Sequence, residues 1–259
     1  MEDNVITSLQ NARVKHLVQL QQKSSERRRS GLFVVEGQRE LMHCVEAGYE
    51  VEEVYMVEGG CWKVEGFSPA IFTVSPQVYE KMAYRGSTEG VIATVRQRNL
   101  TLADLQLPAN PLIMVLESVE KPGNLGAVLR SADAAKADAV VICDPLTDLY
   151  NPNLIRASLG AVFSVPVVAC SSEECIAFLK QRNIQILTAQ LQDSSLYYDT
   201  DMRRATALVM GTESTGLTDI WRQAADAHIR IPMLGRMDSL NVSVSAAILL
   251  FEAVRQRTK

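Results

Sequence analysis

Apolar and polar residues alternate along the first hundred positions as they do in short strands and amphipathic helices. Residues 10–23 place apolar side chains at helical spacing, and Leu32–Glu36 is a short apolar run followed by a helical segment over Gln38–Ala47. Further strand-like runs are Val51–Val57, Ala70–Val74 and Gly90–Val95, with a helix expected over Pro76–Ala83. The pattern predicts a compact α/β domain over residues 1–98.

The remainder of the chain has a different pattern. Residues 99–111 lack periodicity and carry Pro108 and Pro111, which suits a linker. Six short aliphatic runs follow: Leu112–Leu116, Ala139–Cys143, Val165–Ala169, Ile184–Thr188, Ala207–Met210 and Ala227–Ile231. Helices are expected at 124–136, 152–159, 172–182, 217–224 and 241–256. Because continuous aliphatic strands are covered on both faces, residues 112–259 are predicted to form a mostly parallel sheet between helices.

Composition excludes several classes of protein. The 259 residues are 47% hydrophobic and 22% charged, which is ordinary for a globular protein and excludes disorder. Five cysteines without a C-x-x-C pair and three histidines without ligand spacing give no reason to expect a disulfide framework, a metal site or a Ser-His-Asp enzyme. No apolar run is long enough to span a membrane, and the N-terminus resembles no export signal, so we expect no membrane association and a cytoplasmic location.

Positive charge is concentrated near the N-terminus. The segment from Arg13 to Arg39 holds seven Lys or Arg residues and two Glu residues, although the whole chain has a net charge of −4. Such a cluster can hold RNA phosphates, and it can equally be a solvated helix face. Charge alone therefore leaves RNA binding open.

Three loops are candidate sites, because ligands in open α/β sheets bind beyond the carboxyl ends of the strands. The first, Glu117–Arg130, is a glycine-bearing loop that runs into a helix. The second, Gly211–Thr218, spaces its glycines like a phosphate-binding loop, but Leu217 stands where that loop needs lysine, which excludes a nucleoside triphosphate site. The third, Ile231–Ser243, is a long polar connection before an apolar helix. Taken singly, each could be only a capped helix or a tight turn.

Together these loops resemble the three motifs of the SpoU (TrmH-like) RNA ribose 2′-O-methyltransferases. The matching residues are Asn124, Gly126 and Arg130 in the first loop, Gly211, Glu213, Gly216 and Leu217 in the second, and Ile231–Met233 with Ser239–Ser243 in the third. The stretch Asn153–Pro166 resembles the family's segment between the first two motifs. Phe33–Arg39 resembles a motif of the L30e-like substrate-binding domain that often precedes the catalytic one.

The resemblance implies an α/β fold with two domains. Residues 112–259 would form a SPOUT domain, whose C-terminal segment threads a loop to make a deep trefoil knot that holds S-adenosylmethionine. Residues 1–98 would form the smaller α/β L30e-like domain that binds the RNA substrate, ribosomal or transfer RNA. The resemblance also implies a homodimer with an active site completed across the subunit interface.

The resemblance assigns roles residue by residue. The catalytic set is Arg130, Asn124, Glu213, Ser239 and Asn241, and the cofactor-binding set is Gly211, Glu213, Ile231, Met233, Ser239 and Leu240. Glycine at 211 would keep a side chain from crowding the ligand. Arg27, Arg28, Arg29 and Arg39 would contact RNA phosphates.

For Arg130 two roles stay open. It would bind a phosphate or stabilise a developing alkoxide, or it would act as a general base, which requires a neutral guanidine. Two other functions remain: a catalytically inactive RNA-binding homologue, and a SPOUT enzyme that methylates a base nitrogen. The intact motifs argue against the first, and the Asn124-to-Arg130 loop argues against the second.

Overall fold

The computed structural model describes residues 4–60, 69–84, 89–212 and 215–258. The chain divides into two compact units. Unit 1 is Met1–Arg98 together with Asp148–Ser164, and unit 2 is Asn99–Thr147 together with Val165–Lys259. Within the described ranges, no helix is both long and apolar enough to cross a membrane.

Strands and helices are numbered in chain order. The strands are β1 (Val5–Ile6), β2 (Leu32–Glu36), β3 (Val51–Val57), β4 (Ala70–Val74), β5 (Val91–Arg96), β6 (Leu112–Glu117), β7 (Ala139–Cys143), β8 (Val167–Cys170), β9 (Gln185–Ala189), β10 (Ser195–Leu196), β11 (Thr206–Met210) and β12 (Ala227–Arg230). The helices are α1 (Ala12–Gln22), α2 (Ser24–Ser30), α3 (Gln38–Glu46), α4 (Pro76–Met82), α5 (Pro122–Ala134), α6 (Pro152–Ser158), α7 (Ala161–Ser164), α8 (Ser172–Gln181), α9 (Asp219–Ala224) and α10 (Val242–Arg257).

Unit 1 is built on a five-stranded mixed sheet in the order β1-β4-β3-β5-β2. Strand β5 pairs antiparallel with both β2 and β3, whereas β4 pairs parallel with β1 and β3. Helix α1 buries Val14, Leu17 and Leu20 in the unit's core. Their spacing of three residues puts them on one face of the helix, and the same spacing is the reason that the sequence pattern predicts a helix here.

Residues 148–164 complete unit 1 through an aromatic cluster. Phe33 of β2 lies 4.4 Å from the ring centroid of Tyr150 and 5.9 Å from that of Phe163. Burial raises the pKa of Tyr150, whose hydroxyl donates to the carbonyl oxygen of Arg98. Gly160 has a φ of +86°, and a Cβ there would lie 2.9 Å from Cδ2 of His43, so this position requires glycine.

Unit 2 is built on a seven-stranded parallel sheet in the order β10-β12-β9-β11-β6-β7-β8. Every residue of the three adjacent strands β11, β6 and β7 is buried. Helices α5 and α10 pack together against one face, and α8 and α9 pack together against the other. The carboxyl ends of all the paired strands therefore meet at one edge of the sheet.

The structure departs from the sequence prediction in three places. Residues 152–159 form a helix as expected, but this helix belongs to unit 1 rather than to a continuous C-terminal domain. Residues 99–111 belong to unit 2, where Leu105 is 4% exposed and packs in the core, so this segment is not a free linker. The elements β1, α2, α7 and β10 are not predicted: β1, α7 and β10 have four residues or fewer, too few to show a period, and α2 (Ser24–Ser30) contains no apolar residue.

Candidate active site

One cavity in unit 2 contains most of the predicted cofactor-binding residues. It has a volume of about 380 Å³ and lies at the carboxyl ends of the adjacent strands β9, β11 and β12. Its lining includes Gly211, Ile231, Met233, Ser239 and Leu240. Glu213, predicted for both the cofactor and catalytic sets, lies outside the described residues. Two of the three motif segments thus face one cavity.

The turn after β11 closes tightly on itself. A Cβ on Gly211 would lie 2.2 Å from the carbonyl oxygen of Gly216 and 2.6 Å from the amide nitrogen of Leu217. The amide of Gly216 donates to the carbonyl oxygen of Thr212 at 3.1 Å. Glycine is thus required at 211 because a side chain would collide with the turn's own backbone, a different reason from the crowding of the ligand expected from the sequence.

A buried carboxylate holds the end of this turn. Glu117, the last residue of β6, is 3% exposed, and its oxygens accept hydrogen bonds from the amide (2.9 Å) and the Oγ1 hydroxyl (2.5 Å) of Thr218. Ser172 Oγ lies 3.4 Å from the same carboxylate, donates to Asp144 at 2.6 Å and accepts from the indole of Trp221 at 2.9 Å. The sequence analysis did not select Glu117. Its signal was a charged residue at the end of an otherwise aliphatic strand.

The first and third motifs meet at two helix N-termini. The side-chain amide nitrogen of Asn241 donates to Oδ1 of Asn124 at 3.2 Å. Oδ1 of Asn241 accepts from the amide (3.0 Å) and hydroxyl (2.6 Å) of Ser243, which caps α10. Asn124 lies in the first turn of α5, which packs against α10. The structure thus joins two of the predicted catalytic residues.

Arg130 lies near the end of α5 with its side chain exposed. In the part of the chain that the structure describes, its guanidinium makes no hydrogen bond or ion pair. Ser239, another predicted catalytic residue, is exposed at the cavity and donates to Oδ1 of Asp238 at 3.3 Å. Neither side chain is held by a buried partner, so both are open to a substrate.

The predicted RNA-binding arginines of unit 1 divide into two kinds. Arg27 is 2% exposed, pairs with Asp148 at 2.5 Å and donates to the carbonyl oxygen of Leu20. It therefore stabilises unit 1, and we remove it from the expected phosphate contacts. Arg28, Arg29 and Arg39 are exposed, and Arg29 pairs with Glu26 one helical turn away.

The cavity also has polar residues that the sequence analysis missed. Gln190 directly follows β9, and its buried Oε1 has no hydrogen-bond partner among the described residues. Arg222 and Arg230 bring positive charge to the same lining. Because β9 was recognised as a strand, the rule that placed sites beyond strand ends could also have identified Gln190.

Two family models match two separate stretches of the chain. The family model described as "SpoU rRNA Methylase family" matches residues 111–251, and the one described as "MRM3-like substrate binding domain" matches residues 11–93. The 23S rRNA (guanosine(2553)-2′-O)-methyltransferase RlmP of Bacillus subtilis (strain 168) is 28% identical over 259 residues, which cover 95% of this chain and 97% of the relative. RlmB of Salmonella typhi, a 23S rRNA (guanosine-2′-O-)-methyltransferase, is 39% identical over 66% of this chain and 72% of the relative.

Solved structures extend the likeness to nearly the whole chain. A crystal structure of an RNA 2′-O ribose methyltransferase has a TM-score of 0.86 and 41% identity, covering 98% of this chain and 100% of the other. The AdoMet-bound rRNA methyltransferase from Sinorhizobium meliloti has a TM-score of 0.89 and 28% identity, covering 97% of each chain. These likenesses confirm the predicted fold class, whereas the trefoil knot stays a prediction. The model of the SpoU rRNA methylase family matches more than half of the residues of this chain, and the chain therefore belongs to that family.

Proposed function

We propose that this protein transfers the methyl group of S-adenosylmethionine to a ribose 2′-hydroxyl of ribosomal RNA. The observation that carries the proposal is the single cavity at the ends of β9, β11 and β12, which residues of the second and third motifs line together. Two relatives match almost the full length of the chain: the Bacillus subtilis protein is named as a 23S rRNA 2′-O-methyltransferase, and the Sinorhizobium meliloti protein as an rRNA methyltransferase. Both names favour ribosomal over transfer RNA.

The lining of the cavity fits the cofactor in size and chemistry. A volume of about 380 Å³ lies in the range of small-molecule sites. The unpaired Oε1 of Gln190 can accept from an adenine amine, and Arg222 and Arg230 can pair with the methionine carboxylate. Met233 and Leu240 offer apolar contact. When bound, S-adenosylmethionine supplies a methyl group that its sulfonium sulfur already activates.

The chain's own residues must align the ribose oxygen and help its proton leave, because a ribose hydroxyl is a weak nucleophile at neutral pH. Arginine guanidinium groups in proteins donate hydrogen bonds and do not serve as proton acceptors, so we do not assign Arg130 as a general base. We assign it to binding a neighbouring phosphate or stabilising negative charge that develops on the ribose oxygen. Its exposed, unpaired guanidinium in the described structure supports this role.

Asn124 and Asn241 form a positioning pair for the substrate. The hydrogen bond of 3.2 Å between their side chains fixes the start of α5 relative to the start of α10. Ser239, two residues before Asn241, offers a hydroxyl at the cavity. These side chains are proposed to hold the ribose, while Arg28, Arg29 and Arg39 of unit 1 are proposed to contact RNA phosphates.

A homodimer is part of the proposal. Large apolar side chains are exposed on the third motif and α10: Leu234 is 97% exposed, Met237 74% and Phe251 48%. Large apolar side chains with this much exposure are candidates for burial in a protein interface. We expect light scattering to show a dimer, and Phe251→Glu to shift it towards a monomer with reduced methyl transfer. A stable monomer with full activity would contradict the shared site.

The cytoplasmic location stays a prediction.

The decisive experiment maps methylated positions. Unmodified ribosomal RNA is incubated with the protein and S-adenosylmethionine, then hydrolysed in alkali, which spares the linkage on the 3′ side of a 2′-O-methyl nucleotide. New alkali-resistant positions that need both protein and cofactor would support the proposal. Methylation without new resistance would indicate a base-nitrogen methyltransferase. Cofactor and RNA binding without any methylation would indicate an inactive homologue.

A further inference from the structure

Three cysteines that are far apart in the sequence meet in unit 2, away from the cofactor cavity. Cys143 ends β7, Cys170 ends β8, and Cys175 lies on α8. Their three sulfur atoms all lie within 4.8 Å of one another. Spacing in the sequence gave no reason to expect a metal site because the three form no C-x-x-C pair. The parallel sheet creates the cluster by ending two neighbouring strands side by side.

We propose that Cys143, Cys170 and Cys175 form a binding site for one thiophilic d¹⁰ metal ion, with Cu(I) as the ion it suits best. Three ligands around one ion with metal–sulfur bonds of about 2.3 Å place the sulfurs about 4.0 Å apart in a trigonal plane. Because the sulfur atoms lie within 4.8 Å of one another, no sulfur–sulfur distance has to shorten by more than about 0.8 Å to reach this value.

The number and kind of ligands favour Cu(I) over other ions. Structural zinc almost always has four protein ligands in a tetrahedron, whereas the described residues supply three here. Soft thiolate sulfur selects copper(I) over the hard ions that oxygen ligands prefer. Binding exchanges the protons of the coordinating thiols for the metal and leaves the oxidation states of sulfur and copper unchanged.

The surroundings give the ion both shielding and an entrance. Cys143 and Cys175 are 0% exposed within the core on the α8 and α9 side of the sheet. Cys170 is partly exposed, and its strand β8 is at the edge of the sheet. An ion can therefore reach Cys170 from solvent, after which the two buried sulfurs exclude water. The same geometry would tie β7, β8 and α8 together.

The test measures Cu(I) binding by the full-length protein in competition with a chromophoric Cu(I) chelator under anaerobic, reducing conditions. The background variant is Cys44→Ala/Cys61→Ala, which removes the two other thiols of the chain and keeps the cluster. We expect it to bind one equivalent like the natural sequence. Cys170 is the least buried of the three cysteines. Adding Cys170→Ala to the background variant should lower the affinity for Cu(I) by more than about 100-fold, because mutating residues that only orient the metal ligands already lowers metal affinity by about 10- to 100-fold.

A second set of measurements identifies the ligand atoms and the effect of the metal on stability. X-ray absorption on the copper-loaded protein should show three sulfur neighbours, and loading should raise the melting temperature of the background variant but not of the one lacking Cys170. The proposal is overturned if copper binds with equal affinity without Cys170, or if absorption shows nitrogen or oxygen ligands. Formation of a disulfide between two of the three cysteines, with no copper bound after reduction, would also overturn it.

Discussion

The carboxylate of Glu117 binds both the amide and the hydroxyl of Thr218, across 101 positions of sequence. Glu117 ends the strand that leads into the first motif, and Thr218 follows the turn of the second. A buried acceptor with two donors from one residue restricts that residue more than either bond alone. Glu117 is therefore a positioning residue for the cavity, although it does not line it.

Glu117→Ala should weaken cofactor binding. It leaves the amide and hydroxyl of Thr218 without their acceptor, which costs about 1–3 kcal/mol of unfolding free energy. The loosened turn should raise the Kd for S-adenosylhomocysteine by about tenfold, which corresponds to 1.4 kcal/mol. Calorimetry and urea denaturation measure the two effects. Thr218→Ser keeps both bonds and serves as the control; equal losses in the two variants would show that Glu117 has no positioning role.

Gly211→Ala should abolish cofactor binding. The new Cβ would meet the carbonyl oxygen of Gly216 at 2.2 Å, and neither backbone segment can move cheaply. Gly123→Ala is the matched control, because its Cβ would meet nothing within 4 Å and α5 gains by up to about 1 kcal/mol from the added alanine. If both variants bind S-adenosylhomocysteine like the natural sequence, glycine is not required at position 211.

Arg130→Ala should reduce the rate of methyl transfer by about 100- to 1,000-fold, the effect of removing one donor that stabilises developing charge. Folding and cofactor affinity should be unchanged, because the side chain is exposed and unpaired among the described residues. Arg130→Lys keeps the charge but loses the planar set of donors, and should also be slow. Lys180→Ala, an exposed cation on α8, should retain full activity; normal rates in both Arg130 variants would make Arg130 a surface residue only.

Asn241→Asp separates two roles of one side chain. The carboxylate can still accept from Ser243 and cap α10, so we expect unfolding free energy to change by less than about 1 kcal/mol. It cannot donate to Oδ1 of Asn124, so methyl transfer should fall sharply. If activity survives while stability falls, the residue is a helix cap without a role in positioning.

Arg27 and Arg28 are adjacent, but we expect opposite behaviour from them. Arg27→Ala removes the cation that pairs with Asp148, whose side chain is 15% exposed, and should cost about 3 kcal/mol of unfolding free energy. Arg28→Ala should leave stability within about 0.5 kcal/mol. It should weaken RNA binding and lower the slope of log K against log salt by about 0.9 for one lost phosphate contact with a duplex. RNA affinity and salt slope unchanged in Arg28→Ala would make the basic segment a solvated surface.

Periodicity in the sequence was sufficient for the long elements. Buried strands such as β6 and β7 consist of apolar residues, apart from Glu117 at the end of β6, so their positions could be predicted to within about two residues. The three loops could be selected because parallel strands direct their carboxyl ends to one edge. Pairing across the fold could not be predicted, since the hydrogen bond between Glu117 and Thr218 depends on how distant segments pack. The burial of Arg27 had no sequence signal, because its partner Asp148 lies 121 residues away.

The discontinuity of unit 1 imposes an order on folding during synthesis. The ribosome completes residues 1–98 well before it reaches Phe163, and only then can the aromatic cluster around Phe33 close. At the usual 5 to 20 residues per second, the intervening 65 residues take roughly 3 to 13 seconds. Until residues 148–164 have been made, Arg27 lacks its partner Asp148 and the ring of Phe33 lacks its aromatic neighbours Tyr150 and Phe163. We therefore expect chaperones to bind the nascent chain mainly at this stage.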